Sequence, residues 1–211
     1  MSRLSVPTNA AILLCGGQSR RMGIDKASLP FGDETLISRI ARIVAPTVSQ
    51  IIAVSTPGQI LPPLPDDIRI ITDENRGLGP LEGIRCGLAA IDFPADRALV
   101  CGCDTPLITE EAVQILFENL TEGRDAAIAI DIEQMHPTFG VYRRSVVDVA
   151  ARQLSRGERS LHGFVRQLAF APVPIARLGD ERLVLNVNTP QEYEAALSAA
   201  GLPSISLNRL K

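Results

Sequence analysis

Three stretches of this chain have the make-up of a site for a polyanion. The first is Leu14-Cys15-Gly16-Gly17-Gln18-Ser19-Arg20-Arg21-Met22-Gly23-Ile24-Asp25-Lys26, where three glycines and three cations directly follow an apolar run. Adjacent glycines let the backbone approach phosphate oxygens closely, and successive free N–H groups form an anion nest. Arg20, Arg21 and Lys26 supply charge that a neutral ligand would not require. Two common phosphate loops are excluded by spacing. Ile24 and Asp25 separate Gly23 from Lys26, so no Gly-Lys-Ser/Thr exists, and Gly16-Gly17-Gln18 does not give GxGxxG. The bland alternative is a surface turn with solvated charges.

The second stretch is Arg97-Ala98-Leu99-Val100-Cys101-Gly102-Cys103-Asp104-Thr105-Pro106, an apolar run ending in an acid. At such a place Asp104 can hold Mg²⁺, which wants one or two carboxylates plus phosphate oxygens. It can equally make an Asx turn toward the next helix. Asp73, after Arg69-Ile70-Ile71-Thr72, is a second acid at a strand end, suited to a ribose hydroxyl or to the metal shell.

The surrounding pattern positions these residues. Ala10–Cys15, Ile51–Val54, Ile68–Thr72, Ala98–Cys103 and Ala126–Ile130 read as buried strands, most of them apolar throughout. Between them lie helical stripes: Glu34–Ala45 behind an Asp33 cap, a second after Pro80, and a third opened by Thr109-Glu110-Glu111. The order argues an α/β fold, a mostly parallel Rossmann-like sheet in three layers with a less regular C-terminal half. All three candidate stretches then share the carboxyl rim, where open α/β sheets bind ligands.

In that second half, Met135–Tyr142 reads as extended, with Pro137 arguing against a fully paired central strand there. Ser145–Arg156 is predicted helical and stopped by Gly157, Ser160–Ala169 is a further helix, and Leu183–Val187 a last strand. Thr189-Pro190-Gln191-Glu192 is a capping box opening a helix that ends at Gly201. Ser55–Asp67 is the Pro-rich segment, too short to link large halves, so residues 1–211 read as one domain.

Composition narrows the class. With 45% hydrophobic and 21% charged residues the chain is not of the disordered type. A net charge of −3 offers no basic excess for nucleic acid. The four cysteines match neither zinc spacing nor a disulfide scaffold, which suits buried thiols in a reducing cytoplasm. No run approaches a membrane span or a signal peptide.

The motifs resemble a known family. Leu14–Lys26 is similar to the LxGGxSxRMGxDK signature of nucleotidyltransferases with a GT-A-like α/β fold. Within that superfamily the chain resembles the molybdenum cofactor guanylyltransferases. This is carried by Gly79-Pro80-Leu81-Glu82-Gly83, Cys103-Asp104-Thr105-Pro106, His136-Pro137-Thr138, Gly157-Glu158-Arg159-Ser160-Leu161 and Asn186-Val187-Asn188-Thr189-Pro190. The glycine loop alone specifies only the superfamily. HPT, GERSL and NVNTP together resemble the guanylyltransferases, whereas molybdopterin cytidylyltransferases typically carry DxDTP near the end. Two places depart from the pattern: Val54-Ser55, where the family often has Asn or Ser for the nucleotide, and Gly32–Leu36, where many relatives have GxPL.

The resemblance implies transfer of GMP from GTP to Mo-molybdopterin with release of pyrophosphate. It implies that Leu14, Cys15, Gly16, Gly17, Lys26, Asp73 and Asp104 bind GTP and that Asp104 also binds Mg²⁺. Lys26, Arg20, Arg21 and Asp104 would then carry the catalysis, a residues 10–110 half holding GTP and a residues 111–200 half the acceptor. Molybdenum-insertion and cofactor-delivery proteins are the partners it suggests. Several residues keep two readings. Arg156, Arg159 and Arg166 could meet the acceptor phosphate or be solvated helix charges. His136 and His162 suit packing or an acceptor contact. Asn186 and Asn188 could reach the metal or merely lead into the Thr189 cap. The rival functions are transfer from CTP or to a sugar phosphate, and a nucleotide-binding assembly protein without turnover.

Overall fold

The computed structural model describes residues 8–16, 25–73, 75, 77–132 and 134–205. Within these, nine strands and six α-helices follow in the order β1 (Asn9–Leu14), β2 (Pro30–Phe31), β3 (Glu34–Thr35), α1 (Leu36–Val44), β4 (Gln50–Ser55), β5 (Ile68–Thr72), α2 (Pro80–Ala89), β6 (Arg97–Gly102), α3 (Glu110–Asn119), β7 (Ala126–Ile130), β8 (Met135–Arg143), α4 (Val147–Ser155), α5 (Leu161–Val165), β9 (Phe170–Pro174) and α6 (Pro190–Ala199).

Seven strands form one sheet in the order β5-β4-β1-β6-β8-β7-β9. Every pairing is parallel except the two made by β8. The mostly parallel α/β expectation therefore holds. Alternation along β1 explains the layering, because a strand covered on both faces must be apolar on both. Ala11, Leu13 and Cys15 enter the core beneath α1 and α3. Ala10, Ile12 and Leu14 enter the opposite core beneath α2, α4 and α5. A smaller cluster packs α6 through Tyr193, Ala196 and Leu197 onto Leu29, Phe31 and Leu36. The chain runs from β1 outward through β4 to β5, then crosses to β6 on the other side of β1. That reversal is the switch point at which such sheets bind ligands.

The expected helix starts are largely in place. Thr109 caps α3 and Thr189 caps α6, the latter with the reciprocal Glu192 bond of a capping box. Helix α1 is capped by Thr35 rather than Asp33, because Glu34 and Thr35 first pair with Pro30 and Phe31. The second half mixes agreement with larger corrections. Met135–Arg143 is extended, as expected, and lies centrally in the sheet, but it is not fully paired at Pro137, where the register with β7 breaks. Ile128 faces Gly140, while the next residue, Ala129, faces His136. Ser160–Ala169 is helical only over Leu161–Val165. Leu183–Val187 is not a strand. Asp180 caps a 3₁₀ turn over Glu181–Val184 instead, and Leu183 and Val187 are buried from irregular backbone. The edge strand β9 lacked a sequence signal because Pro172 and Pro174 read as breakers, yet an edge strand tolerates proline. Among the described residues no helix is long and apolar enough to cross a membrane.

Helix α2, whose N-terminus borders the rim, lies close on β1 because Gly87 has no side chain. A Cβ at Gly87 would come 2.5 Å from Ile12 Cγ2. Gly87→Ala is therefore expected to lose about 1–3 kcal/mol of stability despite alanine's better helix propensity. A lower urea midpoint with unchanged slope checks this; an unchanged midpoint would contradict the packing.

Candidate active site

Ladder bonds carry the functional residues just past the strand ends. The Cys15 N–H donates to the Val54 carbonyl (2.9 Å), Asp73 N–H to Ser55 (2.9 Å) and Cys103 N–H to Leu14 (3.1 Å). Cys15, Asp73 and the Cys103-Asp104 pair thus stand on one rim. Asp104 lies over Gly102, where a Cβ would meet its Oδ1 at 2.4 Å, and Thr56 packs on Gly16, where a Cβ would meet Cγ2 at 2.6 Å. These glycines provide space for close approach.

Lys26 opens a 3₁₀ turn, Lys26–Ser28, capped by Asp25, whose Oδ1 accepts from Ala27 N–H. Its Nζ donates to Asp104 Oδ2 at 3.1 Å and to Asn188 Oδ1 at 2.5 Å. The ion pair is largely shielded, the side chains being 15% and 26% exposed. Asn188 is held in turn by Glu192, whose Oε2 accepts from the Asn188 N–H at 2.7 Å.

Two cavities adjoin at this rim, sharing Leu14, Gly16 and Pro80. The larger, about 500 Å³, is lined also by Val54, Thr56, Asp73 and the glycine-rich 77–83 segment. The smaller, about 310 Å³, holds Lys26, Asp104, Thr138, Asn186 and Asn188. Both fall in the size range of small-molecule sites. Buried Glu82 accepts from Arg85 and from Asn75, and the Arg85 contact holds its carboxyl below the usual carboxylate range.

Leu14, Cys15, Gly16, Lys26, Asp73 and Asp104 are thus gathered at one rim, with Asp73 on the larger cavity and Lys26 with Asp104 on the smaller. Cys15 contributes backbone only, since its thiol is buried and donates to the Leu13 carbonyl. Gly17, Arg20 and Arg21 lie outside the described residues. Asn188 places its side chain on Lys26 in the site and leads into the Thr189 cap. Of the three arginines in the second half, Arg159 donates to the Gly77 carbonyl at 2.8 Å, while Arg156 and Arg166 follow the C-termini of α4 and α5. His136 pairs with Asp131 at 2.9 Å, and His162 is exposed on α5. Sequence reasoning missed Thr138, which the register break in β8 turns into the smaller cavity, and Gln59.

Gly16, a rim lysine and an acid at the switch point of a three-layer α/β sheet make a site suited to a nucleotide. The MobA-like NTP transferase domain model matches residues 11–172. A protein of Mycobacterium avium named probable molybdenum cofactor guanylyltransferase is 33% identical over 193 residues, covering 90% of this chain and 95% of that protein. The chain therefore belongs to the MobA-like NTP transferase family. Among solved structures, molybdopterin-guanine dinucleotide biosynthesis protein A of Archaeoglobus fulgidus superposes with a TM-score of 0.74 at 22% identity, over 92% of this chain and 98% of that one. The 2-C-methyl-D-erythritol 4-phosphate cytidylyltransferase of Thermus thermophilus gives 0.70 at 16% identity, over 91% and 98%. Both have the same fold.

Cys15, Cys86, Cys101 and Cys103 are free and buried. Burial, the largest cause, pushes the thiols of Cys15, Cys101 and Cys103 far above their ordinary value, with neighbouring thiols and acids adding to it. They stay neutral and inert in the folded protein. A raised folded-state value means full stability below the unfolded thiol value, about 8.5, and a loss as pH climbs beyond it. These three thiols are expected to resist a thiol reagent at mildly alkaline pH until denaturant is added. Stoichiometric labelling of Cys15 or Cys103 in the native protein would contradict this.

Proposed function

We infer that this protein transfers GMP from GTP to Mo-molybdopterin, giving molybdopterin guanine dinucleotide and pyrophosphate. The observation that carries the reading is the Lys26–Asp104–Asn188 cluster in the smaller cavity, which adjoins a nucleoside-sized one. The near-full-length likeness to proteins named as probable molybdenum cofactor guanylyltransferases supports the choice of substrates. On this reading residues 1–211 form one domain, the first half holding GTP and the second the acceptor. Its setting is the cytoplasm, with molybdenum-insertion and cofactor-delivery proteins as neighbours in the reaction sequence.

The attacking phosphate is already an anion, so no strong general base is required. The chain must bring two polyanions into line and offset their repulsion. Asp73 and the backbone of the larger cavity hold the nucleoside. Lys26 faces the β- and γ-phosphates and stabilises charge on the departing pyrophosphate. The donor set fits Mg²⁺: Asp104 supplies a carboxylate and Asn188 an amide oxygen, both hard ligands that already converge on one cation, the Lys26 ammonium. Phosphate oxygens would complete the shell. When bound there, Mg²⁺ would draw charge from the α-phosphate.

Pyrophosphate release on mixing GTP, Mg²⁺ and Mo-molybdopterin tests the reading, with GTP expected to outcompete CTP; faster turnover of CTP would reassign the base. Asp104→Ala should abolish Mg²⁺-dependent turnover and leave the fold intact, and near-normal activity would reduce Asp104 to a turn residue. Lys26→Ala should lower kcat at saturating GTP by roughly 30- to 1,000-fold, the equivalent of about 2–4 kcal/mol of transition-state stabilisation. A raised KM with unchanged kcat would move the leaving-group role to Arg20 or Arg21.

A further inference from the structure

Gln59 sits outside every motif of the chain, yet its side-chain amide joins three separate segments of the rim. Its Nε2 donates to the Cys15 carbonyl at 2.9 Å and to Asp25 Oδ2 at 2.7 Å. Its Oε1 accepts from the Thr56 N–H at 3.0 Å and the Thr56 hydroxyl at 3.4 Å. The partners fix the amide's orientation, since a carbonyl can only accept and a backbone N–H can only donate. Both Nε2 hydrogens and both Oε1 lone pairs are engaged. The local sequence delivers this side chain. Thr56-Pro57-Gly58-Gln59 is a turn with Pro at its second position and Gly58 at φ 82°, closed by Gln59 N–H to the Thr56 carbonyl at 3.0 Å. The turn folds Gln59 back to the Cys15 carbonyl, next to Gly16, against which Thr56 packs.

Cys15 and Asp25 are the residues on either side of the glycine-rich stretch, and Asp25 caps the turn that begins with Lys26. We propose that Gln59 is a positioning residue for nucleoside triphosphate binding, fixing both ends of the glycine-rich stretch and, through Asp25, the Lys26 ammonium. It acts through groups that meet the phosphates and touches none of the reacting atoms. Without it, bound triphosphate must itself order Asp25 and the Cys15 carbonyl, so the cost falls on affinity. Once nucleotide is bound, the phosphates that Lys26 faces hold its ammonium in place. KM therefore rises while kcat is largely kept.

The proposal rests on the nucleotidyltransferase reading and is indifferent to which base is used. Wild type and Gln59→Ala are titrated with Mg-GTP and Mg-CTP, and KM and kcat are measured by pyrophosphate release with whichever binds more tightly. A preference for CTP overturns the guanylyl assignment alone, because the variant-to-wild-type ratio is still read. Gln59→Ala is expected to raise dissociation constant and KM about tenfold with kcat within about threefold. A KM within about twofold of wild type overturns the proposal.

Gln59→Glu keeps size and provides the second reading. Ionised, it offers no donor to Cys15 and places a like charge against Asp25. Protonated, it restores the bond to Asp25. Two such carboxylates share a proton with a raised pKa, so the affinity defect should shrink as pH falls and grow as it rises. A defect of constant size across pH, or a loss of thermal stability with unchanged triphosphate affinity, overturns the proposal.

Discussion

The ammonium of Lys26 is where three remote stretches of the chain become a single site. One carbon stem from the first loop reaches a carboxylate 78 residues away and an amide 162 residues away. A cation this shielded is tolerated only when oxygens replace the water it loses. The requirement is reciprocal: Asp104 needs a cation, and Asn188 needs a reason to stand at the rim. The sheet topology satisfies all three by placing β1 and β6 side by side at the switch point. Capping of α6 by Thr189 and Glu192 then fixes Asn188 from the far end of the chain. The site is complete only when the fold is.

Space is the second constraint. Gly16, Gly83 and Gly102 lie where a Cβ would fall at 2.6, 3.0 and 2.4 Å from Thr56, Leu14 and Asp104. Each omission lets a neighbour's side chain come in over the backbone, and the cavities form in the relief that results. The charged residues are therefore seated in a surface whose shape is set by small ones.

The sheet and most of the site could be read from residues. Apolar runs ending in Gly16, Asp73 and Asp104 forced a common rim, because parallel strands share their carboxyl ends. Helix starts at Thr109 and Thr189 were legible since capping chemistry is local. The second half obeyed longer-range rules. Pro137 argues against full pairing at that point, and the break that accommodates it exists only in the register of β8 against β7. Leu183 and Val187 are apolar because they face packed helices, whatever their backbone does. Thr35 displaced Asp33 as a cap through a two-residue pairing too short to leave a pattern. Gln59 and Asn188 were hard to weigh for a related reason: amides carry no charge or periodicity, and their value lies in which partners the fold delivers.

The antiparallel strand β8 has a consequence for how the chain comes to be assembled. It lies between β6 and β7 although it is made after both. During synthesis β5, β4, β1 and β6 can pair as a parallel block once β6 is complete, but β7 then has no neighbour from that block. The wedge that joins them arrives as residues 135–143, bringing Thr138 into the smaller cavity as it inserts. Loop closure over such separations is slow compared with local pairing. The edge of β6 is therefore an open template until late in folding, and the seam that closes it also closes one side of the smaller cavity.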